Sequence, residues 1–403
     1  MVSKAACLLP LVGGVFGQLD AIPKGFQSDQ WAWVSNEDPL LAAIPGAFNR
    51  TVFDAPSAAN VTDQRVASVN DHIQQSSFVA YDQRFFDVIG PNATVEQLQV
   101  LPFQVHEAPC YVKESSQLFF VEWGPPGGSE NGRHDWQYLL DLKTNNLTRI
   151  KTDPPTWNVH GCVYRDGNMH VVTDGGPDET GYLAIIDPAT LKRTTLLNNY
   201  FERPFISFND IELDHEGNYY LTDSRSGFGR SLHPFNAPTQ PTVYFVNGTN
   251  MRIKELAMLE GNANGITLSP DGKTLYVADT GASESKPARR NDQGPREMWA
   301  WDFATSSHGA KIPLLVNQRM LSRAIEYFYD GIRTSSNGLI FAAGGEVVDV
   351  IDPESGWTLG SIRVGGNGND PVNIALGDHE MWIVGKGGVW HVKNIKERLS
   401  HTE

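Results

Sequence analysis

Cysteine is scarce in this chain, with three in 403 residues, and the first, Cys7, lies in an N-terminal stretch that reads as removable. The remaining two, Cys110 and Cys162, allow one disulfide at most, or two buried thiols serving as small core residues, and neither resembles part of a zinc site. Basic charge is also short, since Lys and Arg total 32 against 47 Asp and Glu, for a formal net charge of −15. That balance argues against nucleic acid or an anionic membrane as partner. No apolar run is long enough to cross a bilayer. Apolar residues at helical spacing are rarely sustained beyond two turns, so no amphipathic helix of useful length is expected. Two catalytic signatures are missing as well. Gly13-Gly14 and Gly175-Gly176 lack the strand-to-helix setting of a phosphate loop, and there is no Gly-X-Ser-X-Gly elbow for a serine nucleophile.

What the chain does contain is one phrase repeated six times: a polar residue, an alternating stretch, a turn with Asp, Gly or Asn, and an apolar run. It reads EAPCYVKESSQLFFVEW from Glu107, HGCVYRDGNMHVVTD from His160, NDIELDHEGNYYLTD from Asn209, NGITLSPDGKTLYVAD from Asn264, DGIRTSSNGLIFAAG from Asp330 and VNIALGDHEMWIVG from Val372. Successive copies begin 53, 49, 55, 66 and 42 residues apart, a period that signals a propeller. Each copy is a hairpin, with an inner strand and a buried second strand joined at Asp166-Gly167, Glu216-Gly217, Asp271-Gly272 or Asn337-Gly338. The expected fold is all-β, a six-bladed β-propeller over residues 81–403, preceded by an irregular segment over 18–80. Tyr81 to Ile89 reads as a strand that closes the ring against Gly388-Val-Trp-His-Val.

Residues 1–17 carry one lysine, a short apolar centre and small residues before Gln18, which reads as a signal peptide of a secreted protein. Pro10 and the paired glycines weaken that centre, and a docked or disordered terminus is the alternative. Asn-X-Ser/Thr sequons begin at Asn49, Asn60, Asn92, Asn146 and Asn247.

Aligning the copies places Glu107, His160, Asn209, Asn264 and Asp330 at one equivalent position, so a circular arrangement brings them to a common axis. Glu107, Asn209, Asn264 and Asp330 then make an all-oxygen set that suits one divalent cation, Ca2+ first, with Mg2+ or Mn2+ less favoured and Zn2+ least. Each Asn or Asp before a glycine also fits a turn former. Two carboxylates crowded in a narrow channel, however, need a cation or ordered water to offset their repulsion.

His106-Glu107-Ala108, the run from Leu196 to Asp210, Asn264-Gly-Ile-Thr-Leu-Ser-Pro-Asp-Gly-Lys, Val277-Ala-Asp-Thr-Gly and Asp330-Gly331 resemble the SMP-30/gluconolactonase/LRE-like family, and within it the fungal lactonohydrolases. The resemblance implies a six-bladed propeller, metal ligands at Glu107, Asn209, Asn264 and Asp330, a proton-accepting role for Asp330, and metal-dependent opening of a small-molecule lactone. Ser207 stands where some members carry a substrate-binding arginine, and His160 where close lactonohydrolases carry asparagine. His160, Ser207 and Asn373 are the candidate substrate contacts, and His106 a candidate proton-transfer group beside Asp330. The same metal site could serve isomerisation, cyclisation or carbon–carbon cleavage, and a propeller that only binds a partner is a third reading. Three long returns to the ligand rim are expected over the site: residues 224–241, which mix Phe228, Phe235 and His233 with Arg225 and Arg230; residues 281–297, polar enough to serve solvation; and residues 124–135.

Overall fold

The second strand of each copy is buried on both faces, and its alternate residues enter two different cores. In Gln117–Glu122, Phe119 and Val121 join a cluster with Val159, Val171 and Ala184, while Leu118 and Phe120 join one with Trp382 and Val389. In Thr274–Asp279, Leu275 and Val277 pack with Val243 and Phe245, and Tyr276 and Ala278 with Ile332 and Ile340. A strand has a side-chain period of two, so a continuous apolar run glues its own sheet to both neighbours. The ring closes because the last sheet packs on the first, Trp382, Val384 and Val389 meeting Leu118, Phe120 and Leu140.

The computed structural model describes residues 22–37, 41–101, 106–122, 132–233, 239–304, 313–364, 366 and 368–401. Residues 1–17, expected as a signal peptide, lie outside them. Blades 1 to 4 are four-stranded meanders, the sheet of blade 5 is larger and that of blade 6 has three strands; the inner strands are His106–Val112, Val159–Arg165, Phe208–Leu213, Ala263–Leu268 and Ile332–Thr334 in blades 1 to 5, and Asp370–Leu376 in blade 6. Gly167, Gly217, Gly272 and Gly338, at the predicted hairpin turns, all have positive φ.

Closure differs from the sequence expectation. The strand that completes blade 6 is Thr94–Leu101, antiparallel to Met381–Lys393 with Gly387 opposite Leu101 and Lys393 opposite Thr94. Residues 83–89, expected as that strand, form the helix Gln83–Ile89, capped by Asp82, whose side chain accepts from the Arg84 amide. Its buried Phe85, Phe86, Val88 and Ile89 follow helical spacing, which the β-favouring side chains disguised. A second helix, Gln64–Gln75, buries Val66, Val69, Asn70 and Ile73 on one face. The segment 18–80 is also less irregular than expected. Trp31–Trp33 and Phe78–Ala80 extend blade 5, so that its sheet has six strands.

At the axis the inner strands touch one another through glycines. The Gly265 amide donates to the Asp330 carbonyl at 3.2 Å, and the Gly331 amide to the Val372 carbonyl at 2.8 Å. A Cβ on Gly265 would stand 2.2 Å from the Asp330 carbonyl oxygen, and one on Gly161 2.9 Å from the Asn209 carbonyl oxygen. These glycines do not shape turns, which corrects the turn-former alternative for the Asn and Asp residues that precede them. They let two blades meet backbone to backbone. Gly265→Ala is therefore expected to lower the unfolding free energy by about 1–3 kcal/mol through overpacking, read from urea denaturation; an unchanged midpoint and slope would contradict the contact.

Candidate functional site

The aligned polar residues stand at a ladder irregularity that recurs at the top of the inner strands. Pairing with the second strand shifts between Glu107 and Cys110, between Val159 and Gly161, between Phe208 and Ile211, and between Ala263 and Ile266. A bulge adds a residue to one strand and re-aims the side chains beside it. Here it turns Glu107, His160, Asn209 and Asn264 to the axis while the rest of each strand keeps its alternation. Asp330 precedes Ile332–Thr334, with its amide donating to the Ala343 carbonyl at 2.7 Å.

The side chains meet. His160 Nε2 lies 3.5 Å from Glu107 Oε1 and 3.2 Å from Asn209 Nδ2. Asn373 Nδ2 donates to Glu107 Oε2 at 3.2 Å. Asn264 hydrogen-bonds Asp330, whose carboxyl is pushed well above the usual carboxylate range by burial and by the nearby Glu107 charge, with His160 and Asn264 opposing. Oδ1 of Asp330 is buried and has no hydrogen-bond partner among the described residues. An orphaned carboxylate oxygen beside a second carboxylate is the feature a divalent cation satisfies, and the surrounding carboxylate and amide oxygens are hard donors of the kind calcium and magnesium take. Among the described residues no three His, Cys, Asp or Glu side chains gather for a metal, so the set depends on the amides of Asn209 and Asn264.

Three expected roles change. Ser207 is fully buried; its hydroxyl donates to Asp174 Oδ1 and accepts from the Gly227 amide at 2.8 Å, so its one hydrogen is already committed within the protein. Asn373 receives the Ile374 amide on Oδ1 at 2.8 Å and holds Glu107 with Nδ2, which makes it a support for the cluster instead of a substrate contact. His160 is likewise enclosed by protein, with Nδ1 2.9 Å from Asp174 Oδ1. Asp174 is ionised below the usual range: burial opposes this, but Arg230 and His160 outweigh it. Burial also works against an imidazolium at His160, yet Asp174 and Glu107 push its pKa up to about 10. His106 pairs with Glu122 across the ladder, and its side chain lies outside the described residues.

Below the cluster lies a pair that the repeat pattern did not announce. Arg333 donates from both terminal nitrogens to Asp210, at 2.7 and 2.9 Å, and from one of them to the Ile332 carbonyl at 2.7 Å. Both partners are buried, and Asp210 also accepts the amides of Ile211 and Ile266. The fork geometry and full satisfaction are what such a pair needs inside a protein. Cys110 and Cys162, beside it, are free thiols, matching the small-core reading. A cavity of about 680 Å³ opens at the far mouth, lined by Cys110, Cys162, Glu212 and Arg333 and by none of the four oxygen residues.

On the ligand side, segment 224–241 forms the short helix Ser226–Gly229; its residues 234–238, with Phe235, lie outside the described residues, as do 124–131 of the third return. The polar return 281–297 does more than solvate. It forms a hairpin, Ser283–Ser285 with Ala288–Arg290, that seats Lys286 Nζ 4.3 Å from the Phe228 ring centroid and Arg290 4.7 Å from that of Tyr327. Cations over aromatic faces hold it down.

With the fold and the cluster in place, comparison with known proteins is decisive at the level of family: the model of the SMP-30/Gluconolactonase/LRE-like region matches residues 105–384. The chain belongs to the SMP-30/gluconolactonase/LRE-like family. It is similar to lactonohydrolase oryL of Aspergillus oryzae, 28% identical across 96% of this chain and 90% of the relative. It is also similar to a gluconolactonase of Zymomonas mobilis, 24% identical across 72% and 78%. A solved gluconolactonase from Xanthomonas campestris has the same fold, with a TM-score of 0.64 at 18% identity over 79% of this chain and 95% of that one. A calcium-binding regucalcin from Agrobacterium tumefaciens aligns with a TM-score of 0.55 at 16% identity, over 77% and 96%.

Within this SMP-30/gluconolactonase/LRE-like propeller, one signal for the missed residues was present in the repeat. The second strands of blades 3 and 4 end at Asp223 and Asp279, and that of blade 2 at Thr173 with Asp174 next in sequence. Asp223 accepts the amides of Ile206 and Ser207, at 3.1 and 2.6 Å, and so positions the entry to the next inner strand. Burial, resisted by those two amides, raises its pKa to about 7.

Two outcomes follow from these buried charges. Arg333→Met, which strands Asp210, is expected to lower stability by about 3–5 kcal/mol, and Arg333→Met with Asp210→Leu to recover part of it, both by urea denaturation. For Asp223, folded near 7 and unfolded near 3.8, the folded state holds a proton the unfolded state has released between those values. Its contribution is complete below about pH 4 and fades as pH rises to 7. The stability of Asp223→Asn relative to the unsubstituted protein should therefore rise across that window; a pH-independent difference would refute the assignment.

Proposed function

We propose that the protein is a hydrolase that opens a lactone ring to a hydroxy acid, with a divalent cation, calcium first, held by Glu107, Asn209, Asn264 and Asp330. The reading is supported by family membership and by relatives named lactonohydrolase and gluconolactonase. The observation that carries it is the buried, unpartnered Oδ1 of Asp330 next to Glu107. Regucalcin, described as calcium-binding, shares the fold and motivates the choice of ion.

When bound, the cation supplies a Lewis acid that favours negative charge on a carbonyl oxygen. The remaining work falls to side chains. Asp330 stands at the cluster with an acceptor oxygen that no described residue occupies, as a general base requires. It takes a proton from the water whose oxygen bonds to the lactone carbonyl carbon, and it returns that proton to the ring oxygen when the ring carbon–oxygen bond breaks. Glu107 is fixed by Asn373 and His160, so it does not swing to compete for the proton. The Ser226–Gly229 helix and the 283–290 hairpin, packed so that a Cβ on Gly229 would stand 2.1 Å from Ser285 Cβ, flank the entrance with Phe228 and Lys286 and favour a lactone bearing an acidic group.

Asp330→Ala should lower turnover of aldonate, pantoyl or aromatic lactones by at least about 100-fold in a pH-stat assay, since positioned acid–base catalysis contributes that much or more. EDTA should abolish the wild-type rate and calcium restore it. Near-normal turnover in the variant removes Asp330 from the chemistry, and indifference to EDTA removes the cation.

A further inference from the structure

One buried chain of polar groups reaches the cluster without a part in the chemistry above. It starts at Arg230, just after the Ser226–Gly229 helix, and runs through Asp174 and His160 to Asn209 and Glu107. We infer that Asp174 is the positioning residue of the cation site, acting through His160 to fix the Asn209 amide and the Glu107 carboxylate. The inference rests on the cation reading just given.

Asp174 follows the second strand of blade 2, and its side chain is 0% exposed. Its oxygens are divided between two tasks. Oδ1 accepts from His160 Nδ1 at 2.9 Å and from the Ser207 hydroxyl; Oδ2 accepts from Arg230. A carboxylate can only accept, so the ring carries its hydrogen on Nδ1 and presents Nε2 to the site. Nε2 lies 3.2 Å from Asn209 Nδ2 and 3.5 Å from Glu107 Oε1, and this orientation leaves Asn209 Oδ1 as the oxygen available to a cation. The arrangement is that of a carboxylate that orients metal-site groups through an imidazole, here reaching the ligands Asn209 and Glu107.

Comparison among blades shows that the fold does not require it. The position that follows the second strand, whose amide donates to the carbonyl two residues before the aligned polar residue, is Asp174 in blade 2, Ser224 in blade 3 and Thr280 in blade 4. Of the three only Asp174 is a carboxylate, and its oxygens go to His160, Ser207 and Arg230 side chains. Through Ser207, which accepts the Gly227 amide, and through Arg230, it also pins the turn beside the entrance.

The test is calorimetric titration of the full chain with calcium chloride. Asp174→Asn should bind calcium about 10–100-fold more weakly than the unsubstituted protein, the usual range for loss of a group that orients metal ligands. Asp279→Asn, at a buried strand-end aspartate that accepts the Asn262 and Gly281 amides, should stay within about threefold. Because the effect passes through His160, Asp174→Asn with His160→Gln should bind no more weakly than His160→Gln alone. Folded Asp174→Asn with unchanged affinity, or a double variant weakened by the full additional factor, overturns the positioning role and leaves the cation reading standing. If Asp174→Asn fails to fold, His160→Gln must show the same loss, and unchanged affinity there overturns the role. Failure of the unsubstituted protein to bind calcium, magnesium or manganese overturns both.

Discussion

The whole arrangement depends on backbones meeting at the axis with no room for a Cβ between them. Gly161, Gly265 and Gly331 each face the backbone or side chain of the next inner strand at less than van der Waals distance from where a methyl group would sit. Without that approach the blades would stand further out, and the residues preceding those glycines, His160, Asn264 and Asp330, would be too far apart to share one centre. The polar cluster is thus a by-product of tight packing as much as of polar chemistry. Its donors come from strands brought together by apolar clusters between successive blades.

Much of this was legible in the sequence because repetition converts weak local signals into a spatial statement. Five polar residues at one repeat position mean little singly, and together they define an axis. The roles within the cluster were less legible. Ser207 and Asn373 looked available for substrate because sequence shows residue type and position but not which hydrogen bonds are already made. The Asp210–Arg333 pair escaped notice because its members belong to different copies and are 123 residues apart. Gln83–Ile89 was misread because Phe and Val favour strands, while the pattern 85, 86, 88, 89 obeys a helix. In that case tertiary burial of one face overrode residue preference.

Three buried aspartates near the ends of second strands illustrate how surroundings set ionisation. Asp223 and Asp279 end their strands and Asp174 follows its own by one residue, and desolvation acts against ionising each of them. Asp223 and Asp279 face amide dipoles, which do not fully offset burial, and their pKa values rise. Asp174 faces Arg230 and His160, which do offset it, and its pKa falls. Partners, not burial, separate the two that are raised from the one that is lowered.

The Arg333–Asp210 pair links the two faces of the ring. Both partners are buried, and together they span from blade 5 past blade 4 to blade 3. Arg333 lines the cavity on the opposite face, and Asp210 follows Asn209 of the polar cluster, so one ion pair is common to the walls of both.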